Sequence, residues 1–162
     1  MVLNILPLRM NKAFFNFITL ISLVVSLAGC ETNNNPVIPI DQNKIGGFYE
    51  TSTEGMKFDT YDGKTSYTLT SHTIPFTHFT SMQLVDPTDG PDPGIIFTLT
   101  DKGKQLFKEM STRNVNKPIC FVIKGKVMSA PIVMEPINSN TITLTGKKEE
   151  MEHIMAYLKN KK

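Results

Sequence analysis

The chain has 162 residues, 17 of them basic and 15 acidic, and 40% are hydrophobic. That length suits one domain with a core of its own. A formal charge of +2 gives no basic footprint, so no nucleic-acid partner is expected.

A basic start, Arg9 and Lys12, leads into an apolar run from Ala13 to Leu27, and Leu27-Ala28-Gly29-Cys30 closes it. The run matches a secretory h-region and is shorter than the roughly 20 residues of a spanning helix. Basic start, apolar run, small residues and cysteine, in that order, resemble the signal peptide and lipobox of bacterial lipoproteins. The resemblance implies a signal peptide over residues 1–29 and cleavage before Cys30. It also implies a diacylglyceryl group on the Cys30 sulfur and usually a further acyl chain, palmitate among them, on the new amino group. Two or more acyl chains hold a soluble domain on a membrane far better than one. Met10 is an alternative translation start that gives a compact n-region. The mature chain then has 133 residues, with 15 basic and 15 acidic side chains. Its expected address is the cell membrane or the outer membrane, with the domain facing the extracytoplasmic side. Glu31 is not the aspartate tied to inner-membrane retention in some enteric bacteria. Cys120 is left as a single thiol, and its setting, Ile119-Cys120-Phe121-Val122-Ile123, reads as a buried strand.

Residues 30–44 carry Asn33-Asn34-Asn35, Pro36 and Pro39 and no apolar period, the composition of a flexible tether. A single domain is expected over residues 45–162. Residues 45–62 suggest one or two short strands. Asp62-Gly63 marks a turn, and Ser66 to Ser71 alternates in the strand period. Phe79 to Val85 reads as a strand with Phe79, Met82 and Leu84 inward. Ile95 to Leu99 is a more buried strand after a loop of Asp, Pro and Gly. Thr100 or Asp101 caps a helix whose apolar face holds Leu106, Phe107 and Met110. Asn114 and Asn116-Lys117-Pro118 stop it. Ile119 to Ile123 is the next strand, Lys124-Gly125 a tight turn, and Val127 to Met134 a returning strand. Thr141 to Thr145 is the last strand. A final helix runs from about Lys148 to Asn160, with Met151, Ile154, Met155 and Leu158 on one face. The order of elements predicts an α+β fold, a mainly antiparallel sheet with two helices packed on one face.

From Gly94 onward the chain resembles the head subdomain in the first large periplasmic domain of the translocase accessory protein SecD, most strongly over residues 94–159. The stretch from Phe97 to Phe107 follows that family's strand, cap and glycine-containing helix start. Thr112 to Pro118 fits its helix exit. Ile123-Lys124-Gly125-Lys126-Val127-Met128-Ser129-Ala130-Pro131 follows its hairpin, and Glu135-Pro136-Ile137 with Ile142 to Gly146 continues it. Three features depart from the pattern: Lys124 stands where aspartate is usual, Asn138-Ser139-Asn140 replaces a glycine-rich turn, and Gly146 to Glu149 is a shortened approach to the last helix. SecD's membrane-spanning half is missing, so only the contacts of the head can carry over. The resemblance implies a protein-interaction module that contacts exported polypeptides or the Sec translocase, with no catalytic role.

The candidate interaction hairpin is Lys124, Gly125, Lys126, Met128, Ser129 and Pro131, taken as an exposed face suited to strand addition. An equal reading packs Met128 and Ala130 inward. No cofactor is expected, and no metal. His72, His78 and His153 lack a metal-ligand spacing, and Asp86, Asp89 and Asp92 sit among turn residues rather than at calcium-loop positions. No nucleophile elbow or phosphate loop is present. Two other functions stand beside the first: an accessory or structural envelope lipoprotein with one dedicated partner, and, more weakly, a small-ligand-binding or hydrolytic domain. Metabolic labelling with palmitate checks the anchor. The label is expected on the wild-type chain and lost in Cys30→Ser; label kept by the variant would contradict the lipobox reading.

Overall fold

The structure is a computed structural model and describes residues 35–86 and 92–159. The signal segment, Cys30, the first tether residues, Asp89 and the last three residues lie outside the described residues. The chain runs β1 (Val37–Pro39), β2 (Gly46–Asp59), β3 (Ser66–Pro75), a 3-10 turn (Phe76–His78), β4 (Phe79–Val85), β5 (Gly94–Leu99), α1 (Asp101–Arg113), β6 (Ile119–Ile123), β7 (Lys126–Ser129), β8 (Thr141–Thr145) and α2 (Lys148–Leu158). The strands form two four-stranded sheets, ordered β1-β4-β5-β8 and β3-β2-β6-β7, with antiparallel pairing throughout. The α+β class and antiparallel pairing agree with the sequence pattern, but the strands divide between two sheets instead of forming one. The division falls at Pro75, where the 3-10 turn moves the chain from β3 of one sheet into β4 of the other.

Alternation explains most strands. In β8 the threonines are exposed while Ile142 and Leu144 are buried. In β4, Phe79 and Met82 are both fully buried although three residues apart. A bulge reconciles them: Phe79 pairs with Leu99 and Ser81 with Thr98, so Thr80 is an extra residue that shifts the period. All five residues of β6 are buried because both its faces are covered. Ile119, Phe121 and Ile123 enter the main core, while Cys120 and Val122 join Leu69 and Val127 in a second, smaller one.

Three stretches differ in detail from the sequence pattern. Val37–Pro39, inside the expected tether, pairs with β4, because Ile38 packs against the core and Ile40 is buried. Residues 45–62 hold one long strand, Gly46–Asp59, whose ladder with β3 jumps from Thr51 to Met56, both opposite Leu69. The expected strand from Val127 to Met134 stops at Ser129, since Pro131 has no N–H to continue the ladder.

Close backbone approach fixes the start of β2. Strand β2 lies between β3 and β6, and Gly46 and Gly47 both have φ of 142°. A Cβ at Gly46 would lie 2.2 Å from the Val122 carbonyl oxygen, and one at Gly47 would lie 2.1 Å from that of Ile74. Any side chain there would push β2 away from its neighbours β3 and β6.

Phenylalanines join the sheets. Phe79 and Phe97 come from one sheet and Phe48 and Phe121 from the other, and all are essentially inaccessible. Ring centroids of Phe97 and Phe121 are 5.2 Å apart, and those of Phe48 and Phe79 are 5.9 Å apart. Phe107 of α1 meets Phe48 edge-on at 5.1 Å. The helix is started by Thr100, whose hydroxyl accepts from the Gly103 N–H at 3.0 Å. It ends at Asn114, whose Nδ2 donates to the Met110 carbonyl at 2.8 Å.

The second core has a consequence for pH. Burial pushes the Cys120 thiol from an ordinary 9.0 up to about 12. Between those values the unfolded chain gives up the proton and the folded chain keeps it. The contribution of Cys120 is therefore complete below pH 9 and declines above it, by at most about 1.4 kcal/mol per pH unit. Urea unfolding of wild type and Cys120→Ala from pH 8 to pH 11 checks this. The wild-type stability is expected to fall more steeply above pH 9; parallel curves would contradict it.

Candidate interaction surface

The β6–β7 turn is a tight one, with φ of 49° at Lys124 and 75° at Gly125, the signs a type I′ hairpin requires. Lys124 pays for its left-handed backbone with a contact: its Nζ lies 4.8 Å from the centre of the Tyr157 ring on α2. Tyr157 Oη in turn bonds both the N–H and the carbonyl of Ile45. Lys126 Nζ reaches Asp59 Oδ2 at 3.4 Å. Lys124, Gly125 and Lys126 are exposed, Ser129 is half-buried and Pro131 is exposed. Met128 is not available to a partner, because it is buried in the main core while its neighbour Val127 fills the second. The strand there is covered on both faces, which removes Met128 from the expected contact face.

The remaining polar candidates do not converge. His72 and His78 do not meet: His72 Nδ1 lies 3.9 Å from Glu50 Oε2, and the His78 carbonyl accepts from Thr100 N–H. The His153 ring meets that of Tyr61 at a 40° tilt, with centroids 5.1 Å apart. Glu50 is buried, and Arg113 at the end of α1 donates to it at 2.5 Å. Glu50 and Arg113 lie too far apart in sequence for spacing to have paired them. Their arrangement ties α1 to β2 as a structural ion pair.

The feature that spacing did not reveal is an apolar cleft of about 270 Å³. Its floor is Phe48, Phe107 and Ile119, one wall is β8, and the other is the segment from Pro131 to Ile137. Backbone bonds pin that second wall to the α1–β6 connection. Ile119 N–H donates to the Pro131 carbonyl at 3.0 Å, Asn116 N–H to Val133 at 2.8 Å and Val133 N–H to Lys117 at 3.1 Å. Ile137 N–H donates to Ser111 Oγ at 2.9 Å. Pro131 and Pro136 keep the segment from pairing along β8. Ile132 and Met134 consequently stand 60% and 76% exposed at the mouth. The lining carries Glu135 as its one charged residue among the described residues.

Strand β8 is the edge of its sheet. Leu99 N–H donates to the Asn140 carbonyl at 2.8 Å and Gly146 N–H to that of Pro93 at 3.2 Å. Bonded pairs alternate in an antiparallel ladder, so Ile142 and Leu144 bond β5, opposite Phe97 and Ile95. The peptide groups of Thr141, Thr143 and Thr145 therefore point away from the sheet. Thr141 N–H is taken by Ser139 Oγ at 3.1 Å. Those of Thr143 meet no hydrogen-bond partner among the described residues.

A family model for the SecDF P1 head subdomain matches residues 55–160. The protein translocase subunit SecD of Acidaminococcus fermentans is 33% identical over 70 residues, 42% of this chain and 17% of that protein. SecD of Treponema pallidum is 29% identical over 70 residues, 43% of this chain and 12% of its own length. The chain thus spans less than a fifth of the length of these curated relatives. A crystal structure of SecDF in its super-membrane-facing form matches with a TM-score of 0.51 at 17% identity, covering 68% of this chain and 18% of that one, a likeness of fold. The family match takes in the end of β2, both helices, the hairpin, the cleft wall and the β8 edge, and the chain belongs to the SecDF P1 head subdomain family.

Proposed function

We propose that this chain is a lipid-anchored extracytoplasmic interaction module that serves protein export by contacting exported polypeptides or the translocase. Membership of the head family carries the reading. The relatives that match are translocase subunits by name, and this chain shares their head segment. The cleft and the free β8 edge supply a surface that recognises backbone and apolar side chains and needs no catalytic group.

Anchoring rests on the leader and Cys30 alone. Among the described residues, no helix is long and apolar enough to cross a membrane. Two acyl chains on Cys30 would hold the domain at the surface where exported chains emerge.

Photo-crosslinking in cells tests the proposal, with the reactive residue placed at Lys126 and at Ser129. Crosslinks to Sec components or to a spread of precursor proteins are expected. Crosslinks confined to one unrelated envelope protein would contradict an export role and favour an accessory lipoprotein with a dedicated partner.

A further inference from the structure

We infer that the β1 side of this domain docks on the anionic lipid surface to which the Cys30 anchor tethers it. The inference rests on the anchored reading and adds the face that meets the bilayer. Its first support is the short length of chain between anchor and fold. The expected tether runs to residue 44, yet the Asn35 carbonyl already accepts from Gln83 Nε2 at 2.7 Å, and β1 follows at Val37. Asn35 is the fifth residue after Cys30, and a fully extended chain covers at most about 18 Å over that separation. β1 is an edge of its sheet, so the anchor keeps that edge close to the lipid headgroups.

The second support is what this side displays. β1 leads into a turn against the end of α2, where Asp41 N–H donates to the Leu158 carbonyl at 2.9 Å and Ile40 pairs with Lys159. Val37 is 63% exposed and Ile45 74%, two large aliphatic side chains in water near the tether. Lys44, Lys124 and Lys159 accompany them. The ammonium groups of Lys44 and Lys124 lie 5.4 and 4.8 Å from the centre of the same Tyr157 ring. Two cations gathered on one ring repel each other, and a lipid phosphate between them relieves that repulsion. Asp41, 3.4 Å from Lys44, offsets one of the three charges. Exposed aliphatic side chains beside lysines, with a half-buried tyrosine among them, suit the boundary between headgroups and acyl chains. Pro36 and Pro39 carry no N–H, which blunts β1 as a template for another strand. A second copy of the chain would bring like charge to the same face. Docked this way, the domain turns β8, three strand spacings or about 14 Å away, and the cleft beside it from the bilayer.

The test uses the acylated chain in mixed phosphatidylglycerol–phosphatidylcholine vesicles that carry a headgroup spin-labelled lipid as quencher. A fluorophore is attached at Asn43→Cys, exposed between Asp41 and Lys44, or at Met134→Cys on the far side as control. Cys120 is buried and does not take the label. Quenching at position 43 is expected to exceed that at position 134 at least threefold. Pure phosphatidylcholine should at least halve it. Lys44→Gln combined with Lys124→Asn should do the same, asparagine being suited to the left-handed backbone at 124. So should Ile45→Ser, a change at an exposed side chain. Equal quenching at the two positions would overturn the inference. Selective quenching that is unchanged in pure phosphatidylcholine, or in the lysine variant, would overturn it as well. Equal quenching together with one protein crosslinked from position 43 would give the face to that protein instead. Palmitate label with equal quenching leaves the anchor standing and overturns the docking alone. Absence of the label overturns the anchor and this inference with it.

Discussion

The contact of Phe97 and Phe121 across the two sheets is the constraint on which the rest depends. Each sheet offers its phenylalanines to the other, and both sets are buried in one core. Truncating a buried phenylalanine commonly costs about 3–5 kcal/mol, a large part of the stability of a domain this size. The cluster also sets distances. Phe48 meets Phe107 of α1, so the helix is placed by the same rings that join the sheets. The position of α1 then decides where its exit loop, and the segment bonded to that loop, must run.

The cleft follows from this placement. The segment from Pro131 to Ile137 is tied to the α1–β6 connection by backbone bonds, and its prolines prevent it from becoming a strand beside β8. A gap is left between it and the sheet edge, floored by the core itself. Had residue 131 been able to donate, the natural outcome would be a longer β7 and a closed edge. An opening into an apolar core costs stability, because the side chains that line it lose packing contacts.

Much of this was legible in the residues. β4, β6 and β8 appear at the residues that alternation or a continuous apolar run indicates, and α1 is capped by Thr100. Local chemistry suffices there because the signal lies within a few residues. The Lys124-Gly125 turn was legible for the same reason. The second sheet was not, because strand order depends on which faces meet, and one-dimensional spacing carries no such information. Strand β1 was hidden by the polar residues and prolines around Ile38 and Ile40. Burial of Met128 depended on a cover for both faces of β7, a tertiary fact. The cleft was missed because its wall looked like a strand: Ile132-Val133-Met134 is apolar, and only the flanking prolines hinted that it would not pair.

Native-state hydrogen exchange on wild type and Phe97→Leu tests the central claim most directly, that one ring cluster makes the two sheets a single cooperative unit. The account predicts that the slowest amides of β5 and of β6 open with the same free energy, and that the substitution lowers both equally. Loss of protection confined to β4 and β5, with β2 and β6 unchanged, would contradict it and leave the cleft between two independently opening sheets.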